Sequence, residues 1–276
     1  MNNDPHPKLE LQISSSKALV RRIEKRIDLV ELLLAEADAE QALVLPSSFT
    51  NSLGMKMMWC PPGEFLMGSP KDEEGRQDDE DQVYVRISQG FWMASTTVTQ
   101  GQWQALMGSN PSIFKGGERL PVQQVSWHDA QEFCAKLNVT DPGPARYRYV
   151  VPTEAQWEYA CRAGNSGPYH GELNDVAWYV ENSRGRPPEV GSKQANAWGL
   201  HDMHGNVSEW CVDSYGVKLP GGIDPAVLTS GTRRVVRGGL WGLDAASCRA
   251  ANRESNEPGF RNGFLGFRPA LVLSNA

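Results

Sequence analysis

The sequence predicts an α+β domain with much irregular structure, preceded by an N-terminal helix. Nine Trp and 27 Gly among 276 residues favour a loop-rich fold held by aromatic side chains over a helix bundle. From Gly54 onward, short apolar runs alternate with Gly, Pro and Asn, which is the pattern of short strands and turns. Three short helical segments interrupt these runs, so helices and strands are mixed along the chain.

The first fifty residues differ in pattern from the rest of the chain. Residues 1–13 form a polar arm, and residues 14–40 are predicted to be one amphipathic helix, followed by a linker over 41–53. We therefore divide the chain into 1–50 and 51–272. The helix packs on its own domain, or it serves self-association or partner docking, and the sequence leaves both open. Its apolar stripe recurs every three or four residues, at Leu19, Ile23, Ile27, Val30 and Leu34.

In the domain over 51–272, the predicted strands come first and the predicted helices follow. Thr153 is followed three residues later by Gln156, which is a capping-box pattern at a helix start. Residues 165–235 are predicted to be mostly loop, and so much irregular chain needs buried aromatics or a bound metal to hold it. The predicted strands are Met55–Cys60, Glu64–Met67, Val83–Ile87 and Phe91–Val98, and the predicted helices are Thr99–Met107, Ser126–Leu137 and Thr153–Cys161.

Composition and charge exclude several classes of protein. A formal charge of −6 argues against a general nucleic-acid partner. No apolar run of membrane-spanning length occurs, and no signal core is present, so we expect no membrane span. Five Cys without a CxxC pair give no disulfide framework and predict a reduced, cytoplasmic protein. We interpret the acidic run over 71–81 as a solvated loop, with a cation site as the alternative.

Eight short motifs occur in a fixed order along the domain. They are Gly63–Ser69, Val98–Trp103, Pro121–Trp127, Val151–Ala160, Asn196–Leu200, Gly205–Trp210, Arg237–Gly239 and Leu265–Arg268. With them, residues 51–272 resemble the formylglycine-generating enzyme family, also called sulfatase-modifying factor. The resemblance implies a C-type-lectin-like fold, often with bound calcium. The family includes copper-dependent oxidases of a sulfatase cysteine, partners of iron-dependent sulfoxide synthases, and ligand binders such as the variable proteins of bacterial diversity-generating retroelements.

The number of thiols near the C-terminus separates the oxidases from the other branches. The resemblance implies that family oxidases hold Cu(I) between two Cys thiolates that follow the Arg-Gly-Gly motif. Here the stretch Leu240–Arg253 contains only Cys248, and one thiolate cannot form a two-coordinate site. We therefore expect no copper and lean toward a non-catalytic protein. The alternative is an oxidoreductase of the formylglycine-generating type that acts on a protein cysteine or another thiol. The remaining cysteines, Cys60, Cys134, Cys161 and Cys211, are predicted to be core residues.

The histidines do not form a convincing set of metal ligands in the sequence. His201 and His204 are three residues apart and could share a metal, but no third His lies in register. The sulfoxide-synthase branch also needs an N-terminal helical domain with a His triad, and His6 is the single His before residue 51. We therefore reject that branch.

Calcium is implied by the family resemblance at one loop. The resemblance implies ligation by main-chain carbonyl oxygens and one carboxylate, a donor set that suits Ca²⁺. The alternative is a Glu209 carboxylate satisfied by hydrogen bonds within a turn. The candidate calcium residues are Gly205, Asn206, Val207 and Glu209.

Residues 240–264 combine rigid rings with acidic and amide side chains, which is typical of recognition surfaces. The frame around them resembles that of retroelement variable proteins. Adenine mutagenesis of an Asn codon produces neither Glu nor Trp, so Trp241, Glu254 and Glu257 belong to the framework or derive from other codons. We predict a ligand-binding patch whose partner is a protein rather than a small molecule. A structural adaptor that works through the N-terminal helix is a further alternative. The candidate ligand-binding residues are Leu240, Trp241, Leu243, Asp244, Ser247, Glu254, Asn256, Phe260, Asn262 and Phe264.

Overall fold

The computed structural model describes Val20, Arg26 and residues 46–144, 146–229 and 231–274. The chain divides into two units, Met1–Pro46 and Ser47–Ala276. The helix predicted over 14–40 lies outside the described residues, except for Val20 and Arg26, which are helical and exposed. Within the described part of the chain, no helix is long and apolar enough to span a bilayer.

The second unit contains short helices and strands joined by long irregular segments. The helices are α1 (Gln100–Met107), α2 (Trp127–Thr140), α3 (Glu154–Arg162) and α4 (Leu173–Val176), and a 3₁₀ turn covers Ala246–Cys248. The strands of the first half are β1 (Ser48–Thr50), β2 (Lys56–Cys60), β3 (Gly63–Met67), β4 (Val83–Ile87), β5 (Phe91–Ala94) and β6 (Tyr147–Val150). Those of the second half are β7 (Ala177–Trp178), β8 (His204–Gly205), β9 (Ser208–Ser214), β10 (Gly222–Ile223), β11 (Arg234–Arg237), β12 (Arg253–Asn256), β13 (Leu265–Gly266) and β14 (Ala270–Leu273).

The described strands form four sheets. A five-stranded antiparallel sheet has the order β1-β2-β5-β14-β6, so β14, the last strand of the described residues, lies between two strands that come much earlier in the chain. A four-stranded sheet has the order β12-β11-β9-β13 and carries most of the C-terminal region. The smaller sheets are β10-β4-β3 and β7-β8.

Helix starts follow the local sequence closely. Thr99, Ser126 and Thr153 cap α1, α2 and α3, and each helix has a complete capping box. In a capping box the cap side chain accepts a backbone N–H, and a side chain three residues on returns a bond to the cap N–H. All three predicted helices are confirmed, as is the capping box predicted at Thr153.

The prediction of a linker over 41–53 was wrong at residues 48–50. β1 lies inside the predicted linker and pairs with β2 in the central sheet, where Phe49 packs edge-on against Trp92 with ring centroids 5.7 Å apart. β9 is the longest strand within 165–235, a region whose described residues are mostly irregular, as predicted. It is an interior strand between β11 and β13, and six of its seven residues are buried. A strand covered on both faces has no alternation of apolar and polar residues, so its period is not visible in the sequence.

Buried rings hold the core, as predicted. Trp92, Trp157 and Trp210 are fully buried, and Trp103 stacks on Phe133 with centroids 5.5 Å apart.

A set of buried ion pairs that the sequence analysis did not predict accompanies these rings. A buried guanidinium needs both a counter-charge and hydrogen bonds, and each buried arginine here has them. The pairs are Arg162–Glu158, Arg237–Glu158, Arg249–Glu80, Arg253–Glu154 and Arg268–Glu209, and we call them the arginine framework.

The acidic run is only partly solvated. Glu80 is fully buried, and both of its carboxylate oxygens accept hydrogen bonds from Arg249, at 2.7 and 2.8 Å. Glu73 also accepts a bond from Arg249, at 2.6 Å. The solvated-loop interpretation is therefore wrong for these two residues. They join the acidic loop to the C-terminal segment.

Candidate functional site

Three aromatic side chains meet at the surface beside the segment 240–264. The Trp241 ring lies 5.3 Å from the Phe114 ring and 5.8 Å from the Phe264 ring, between centroids. All three residues are partly exposed, and we call them the aromatic cluster. Ile113, which is 60% exposed, continues the apolar surface next to Phe114. Phe114 was not predicted, because nothing in its local sequence links it to Trp241.

The backbone holds Trp241 firmly, while one polar atom of its side chain is unsatisfied. Its main-chain N–H donates to the Asn206 carbonyl at 2.8 Å. Its indole Nε1 has no hydrogen-bond partner among the described residues. This atom is buried although the residue is partly exposed, so the exposed part of the side chain is the ring and not its N–H group.

Gly263 permits the packing of Phe114. A Cβ built at Gly263 would lie 3.2 Å from Cε2 of Phe114, which is tighter than ordinary contact. The ring therefore rests directly on the backbone of the C-terminal segment. This contact places a residue from the first half of the chain at the centre of the predicted patch.

The predicted patch residues on the 240s loop are held by short local bonds. Asp244 Oδ1 accepts from the backbone N–H and the hydroxyl of Ser247, at 2.9 and 2.8 Å. The Leu243 carbonyl accepts from the Val180 N–H at 2.8 Å. These contacts fix the loop backbone and leave the side chains of Leu240 and Leu243 partly exposed.

The later part of the patch has two different surroundings. Phe260 is 42% exposed, and Asn262 Oδ1 accepts from the Phe264 N–H at 3.1 Å. Glu254 and Asn256 belong to β12 instead, and Glu254 lines a separate groove. Burial raises the pKa of the Glu254 carboxyl. All ten candidate ligand-binding residues are at least partly exposed, but they do not form one continuous cluster with Trp241.

Cys248 lies beneath this surface and is inaccessible. Its side chain is fully buried, and burial raises the pKa of its thiol to about 12. Gly239, at φ 66°, covers the sulfur so closely that a Cβ there would lie 2.8 Å from Sγ. Because the thiolate is the nucleophile and the metal ligand, this thiol is unreactive near neutral pH. All five cysteines are free and buried, which confirms the core prediction for Cys60, Cys134, Cys161 and Cys211.

His201 and His204 do not converge on a common point. His201 Nδ1 lies 2.8 Å from the Lys193 carbonyl, and His204 Nδ1 lies 2.8 Å from the Cys248 carbonyl. His204 is fully buried, and its Nε2 accepts from the His170 backbone N–H at 3.2 Å. Within the described ranges, no group of three His, Cys, Asp or Glu side chains is placed to hold a metal.

In the candidate calcium loop, the surroundings of Asn206 fit a calcium ligand and those of Glu209 do not. Arg268 donates to both Glu209 oxygens, at 2.6 and 2.7 Å, and Trp157 Nε1 donates to one of them at 2.8 Å. The Glu209 carboxylate therefore does not fit the role of a free calcium ligand. Asn206 Oδ1 does fit, because it is buried and has no hydrogen-bond partner among the described residues. Gly205 and Asn206 both have positive φ, at 86° and 63°, which bends the loop.

The short strands, long loops and surface-exposed C-terminal segment define a C-type-lectin-like domain of the formylglycine-generating type. The sulfatase-modifying factor enzyme 1-like domain matches residues 44–273, and the chain belongs to that family. The structure of PvdO from Pseudomonas aeruginosa is similar, with a TM-score of 0.77 and 28% identity over 83% of this chain and 99% of that one. Treponema denticola variable protein 1 is similar with a TM-score of 0.71 and 30% identity, over 82% of this chain and 99% of that one.

Curated relatives carry different activities in their names. Formylglycine-generating enzyme of Streptomyces coelicolor is 32% identical over 197 residues, which are 63% of this chain and 59% of that protein. Inactive C-alpha-formylglycine-generating enzyme 2 of Mus musculus is 31% identical over 194 residues, or 63% of this chain and 56% of that protein. The chain thus spans less than two thirds of the length of these relatives. Membership of the family leaves catalysis to be decided by the residues of this chain.

Proposed function

We propose that this protein is a non-catalytic ligand-binding member of its family, and that it binds a protein partner through the surface 240–264. The observation that carries the proposal is the aromatic cluster, whose three residues pack together and are each partly exposed. Aromatic residues of this kind supply most of the binding energy at protein interfaces.

The buried state of Cys248 supports the non-catalytic part of the proposal. An oxidase of the formylglycine-generating type needs an accessible thiol pair at this place. The stretch Leu240–Arg253 offers one thiol, whose pKa is about 12 and whose sulfur lies under Gly239. Free cysteines throughout the described residues also support the proposed cytoplasmic location.

A protein partner fits this surface better than a small molecule. Small molecules are bound mainly in concave pockets that bury most of their surface. The cluster instead stands at the surface, next to Ile113, which is 60% exposed. Within this proposal, the variable protein of a diversity-generating retroelement is the specific type that we favour, and similarity to Treponema denticola variable protein 1 supports it.

Binding is tested by panning a phage-displayed library of small protein domains against the full chain. We expect the selected domains to lose at least about tenfold in affinity for Trp241→Ala and for Phe264→Ala, as hot-spot residues do. Val139→Ala, at an 83% exposed position on α2, is the matched control and leaves affinity unchanged. Selected domains that bind both aromatic variants as tightly as the wild type would contradict the proposal.

Catalysis is tested separately. The full chain is incubated with Cu(I) and a cysteine-bearing sulfatase peptide, and aldehyde is measured by mass spectrometry. We expect no aldehyde. Aldehyde that disappears in Cys248→Ser would establish the oxidoreductase alternative. A reverse-transcriptase gene beside a near-copy of the coding region for 240–264 would support the retroelement type, and its absence from the locus would exclude it.

We also propose calcium at the loop 205–209, with main-chain carbonyls of Gly205 and Val207 and the Asn206 Oδ1 as ligands. Support comes from the unbonded Asn206 Oδ1 and from the hard-oxygen character of these donors. We expect millimolar Ca²⁺ to raise the Tm relative to EGTA, and Asn206→Gly to abolish that rise. Gly suits φ 63° at this position, so the variant removes the amide oxygen without adding strain. An equal Tm in Ca²⁺ and EGTA for the wild type would exclude the site.

A further inference from the structure

A polar groove lies at the open edge of the four-stranded sheet. Its volume is about 700 Å³, and β12, an edge strand in the order β12-β11-β9-β13, forms one wall. The loop that contains Arg76 and Asp79 forms the opposite wall, and Tyr215 and Arg233 contribute from the chain around β9 and β11. We call it the edge groove. It shares no residue with the aromatic cluster.

Some of the charges in the edge groove are fully used within the protein. Arg253 is bonded to Glu154 at 2.6 and 2.9 Å and lies 3.5 Å from Asp79 Oδ2. The Tyr215 hydroxyl donates to the same Asp79 oxygen at 2.7 Å. These groups form the fixed floor of the groove.

Other charges in the edge groove have no opposite charge beside them. The exposed Arg233 guanidinium is held by Ser255, with Nε donating to its Oγ at 2.9 Å, and it forms no ion pair with a described residue. Asp78 is exposed and Glu254 is half-buried, and neither forms an ion pair within the described ranges. One cationic group and two carboxylates therefore face solvent without compensation.

Two hydrogen-bonding atoms in the same wall are also unsatisfied. Arg76 Nε and Asp79 Oδ1 are buried and have no hydrogen-bond partner among the described residues. Arg76 pairs with Asp81, and the Arg76 side chain is 15% exposed whereas that of Asp81 is 78% exposed.

We propose that the edge groove binds a zwitterion with one additional positive charge. The carboxylate of this ligand pairs with Arg233, and its two cationic groups pair with Asp78 and Glu254. A basic α-amino acid carries this set of charges, either free or as the C-terminal residue of a peptide with a nearby amine. The groove is a second site, separate from the aromatic cluster, although Glu254 and Ser255 belong to the segment 240–264 as well.

Isothermal titration of the full chain with L-arginine tests the proposal, with L-citrulline and agmatine as matched ligands. Citrulline keeps the shape of arginine and lacks the guanidinium charge, whereas agmatine lacks the carboxylate. We expect each to bind at least tenfold more weakly than L-arginine. A short peptide ending in Arg, with a free or an amidated C-terminus, distinguishes a free amino acid from a chain terminus as the source. Amidation is expected to weaken that binding by a similar factor.

Variants assign the binding to the groove. Arg233→Gln and Glu254→Gln are expected to weaken L-arginine binding at least tenfold, while Arg86→Gln, an exposed arginine on β4, leaves it unchanged. Trp241→Ala is also expected to leave it unchanged, which separates this site from the aromatic cluster. The proposal is overturned if neither L-arginine nor the free-acid peptide binds at millimolar concentration. It is equally overturned if citrulline matches arginine or if Arg233→Gln has no effect.

Discussion

Four arginines of the arginine framework and two rings of the aromatic cluster come from one stretch of chain, 237–268, and have opposite surroundings. Arg237, Arg249, Arg253 and Arg268 point inward, are almost fully buried and are satisfied by carboxylates from distant parts of the sequence. Trp241 and Phe264, from the same segment, are partly exposed and rest on each other and on Phe114. We therefore expect substitutions of the inward arginines to destabilise the fold more than substitutions of the outward residues. Residues only a few positions apart thus differ in role: the buried arginines hold the fold, and the partly exposed rings form a surface.

The largest expected effect lies in the framework, at Arg268. Arg268→Ala leaves the Glu209 carboxylate buried without its guanidinium, and removal of one partner from a buried pair costs about 3–5 kcal/mol. Urea denaturation measures the free energy of unfolding. Arg119→Ala, in an exposed pair with Glu189, is the control and is expected to change it by less than about 1 kcal/mol. A loss at Arg268 as small as that of the control would mean that the framework does not hold the segment.

A second effect is expected at acid pH from His204, which lies directly beneath the 3₁₀ turn. Neutral His204 donates from Nδ1 to the Cys248 carbonyl and accepts at Nε2 from the His170 N–H. Protonation would place a second donor against that N–H. Burial, the largest cause, lowers the pKa of His204 from 6.5 to about 3. Between these values the unfolded state binds the proton, so stability is complete above about pH 6.5 and falls toward pH 3, by up to about 1.4 kcal/mol per pH unit.

The measurement is the pH dependence of the free energy of unfolding for wild type and His204→Gln. The variant is expected to have a shallower slope between pH 6.5 and 4, whatever its stability at pH 7. Asp213, whose pKa burial raises to about 6, acts in the opposite sense because its contribution is lost as pH rises. The contribution of Asp213 is present in the wild type and in His204→Gln, so it cancels when their slopes are compared. His128→Gln, on the exposed side of α2, is expected to keep the wild-type slope, and equal slopes for all three proteins would contradict the assignment.

Local sequence patterns predicted the helices and strands that are determined by neighbouring residues. The capping box at Thr153 and the apolar runs between turn residues located helices and early strands, and the structure adds capping boxes at Thr99 and Ser126. The framework was missed because Arg253 and Glu154 are 99 residues apart, and sequence alone does not show which charges will pair. Phe114 was missed for the same reason. The solvated-loop interpretation failed at Glu80 because its partner, Arg249, is 169 residues away.

The structure places the ten candidate ligand-binding residues in two different surroundings, and their role in binding stays a prediction. All ten candidate residues are at least partly exposed, which agrees with the prediction that they lie at the surface. What the sequence could not show is that Glu254 and Asn256 lie on an edge strand while Trp241 packs on Phe114. The pairing of β12 with β11 places Glu254 and Asn256 on the edge strand. Strand pairing depends on the whole fold, so the local sequence does not show it.

The smallest expected effect lies in the outward residues, at Asp244. Asp244→Ala removes the two hydrogen bonds to Ser247, both exposed, and should cost about 0.5–1.5 kcal/mol. Asp244→Asn keeps an acceptor oxygen at the same place and is the matched control, with a smaller loss. Urea denaturation under the conditions used for Arg268→Ala places both regions on one scale. If Asp244→Ala destabilised the protein as strongly as Arg268→Ala, the outward loop would be part of the structural core, and the division between inward and outward residues would fail. A small loss for Asp244→Ala means that side chains on this loop can change while the inward arginines keep the fold.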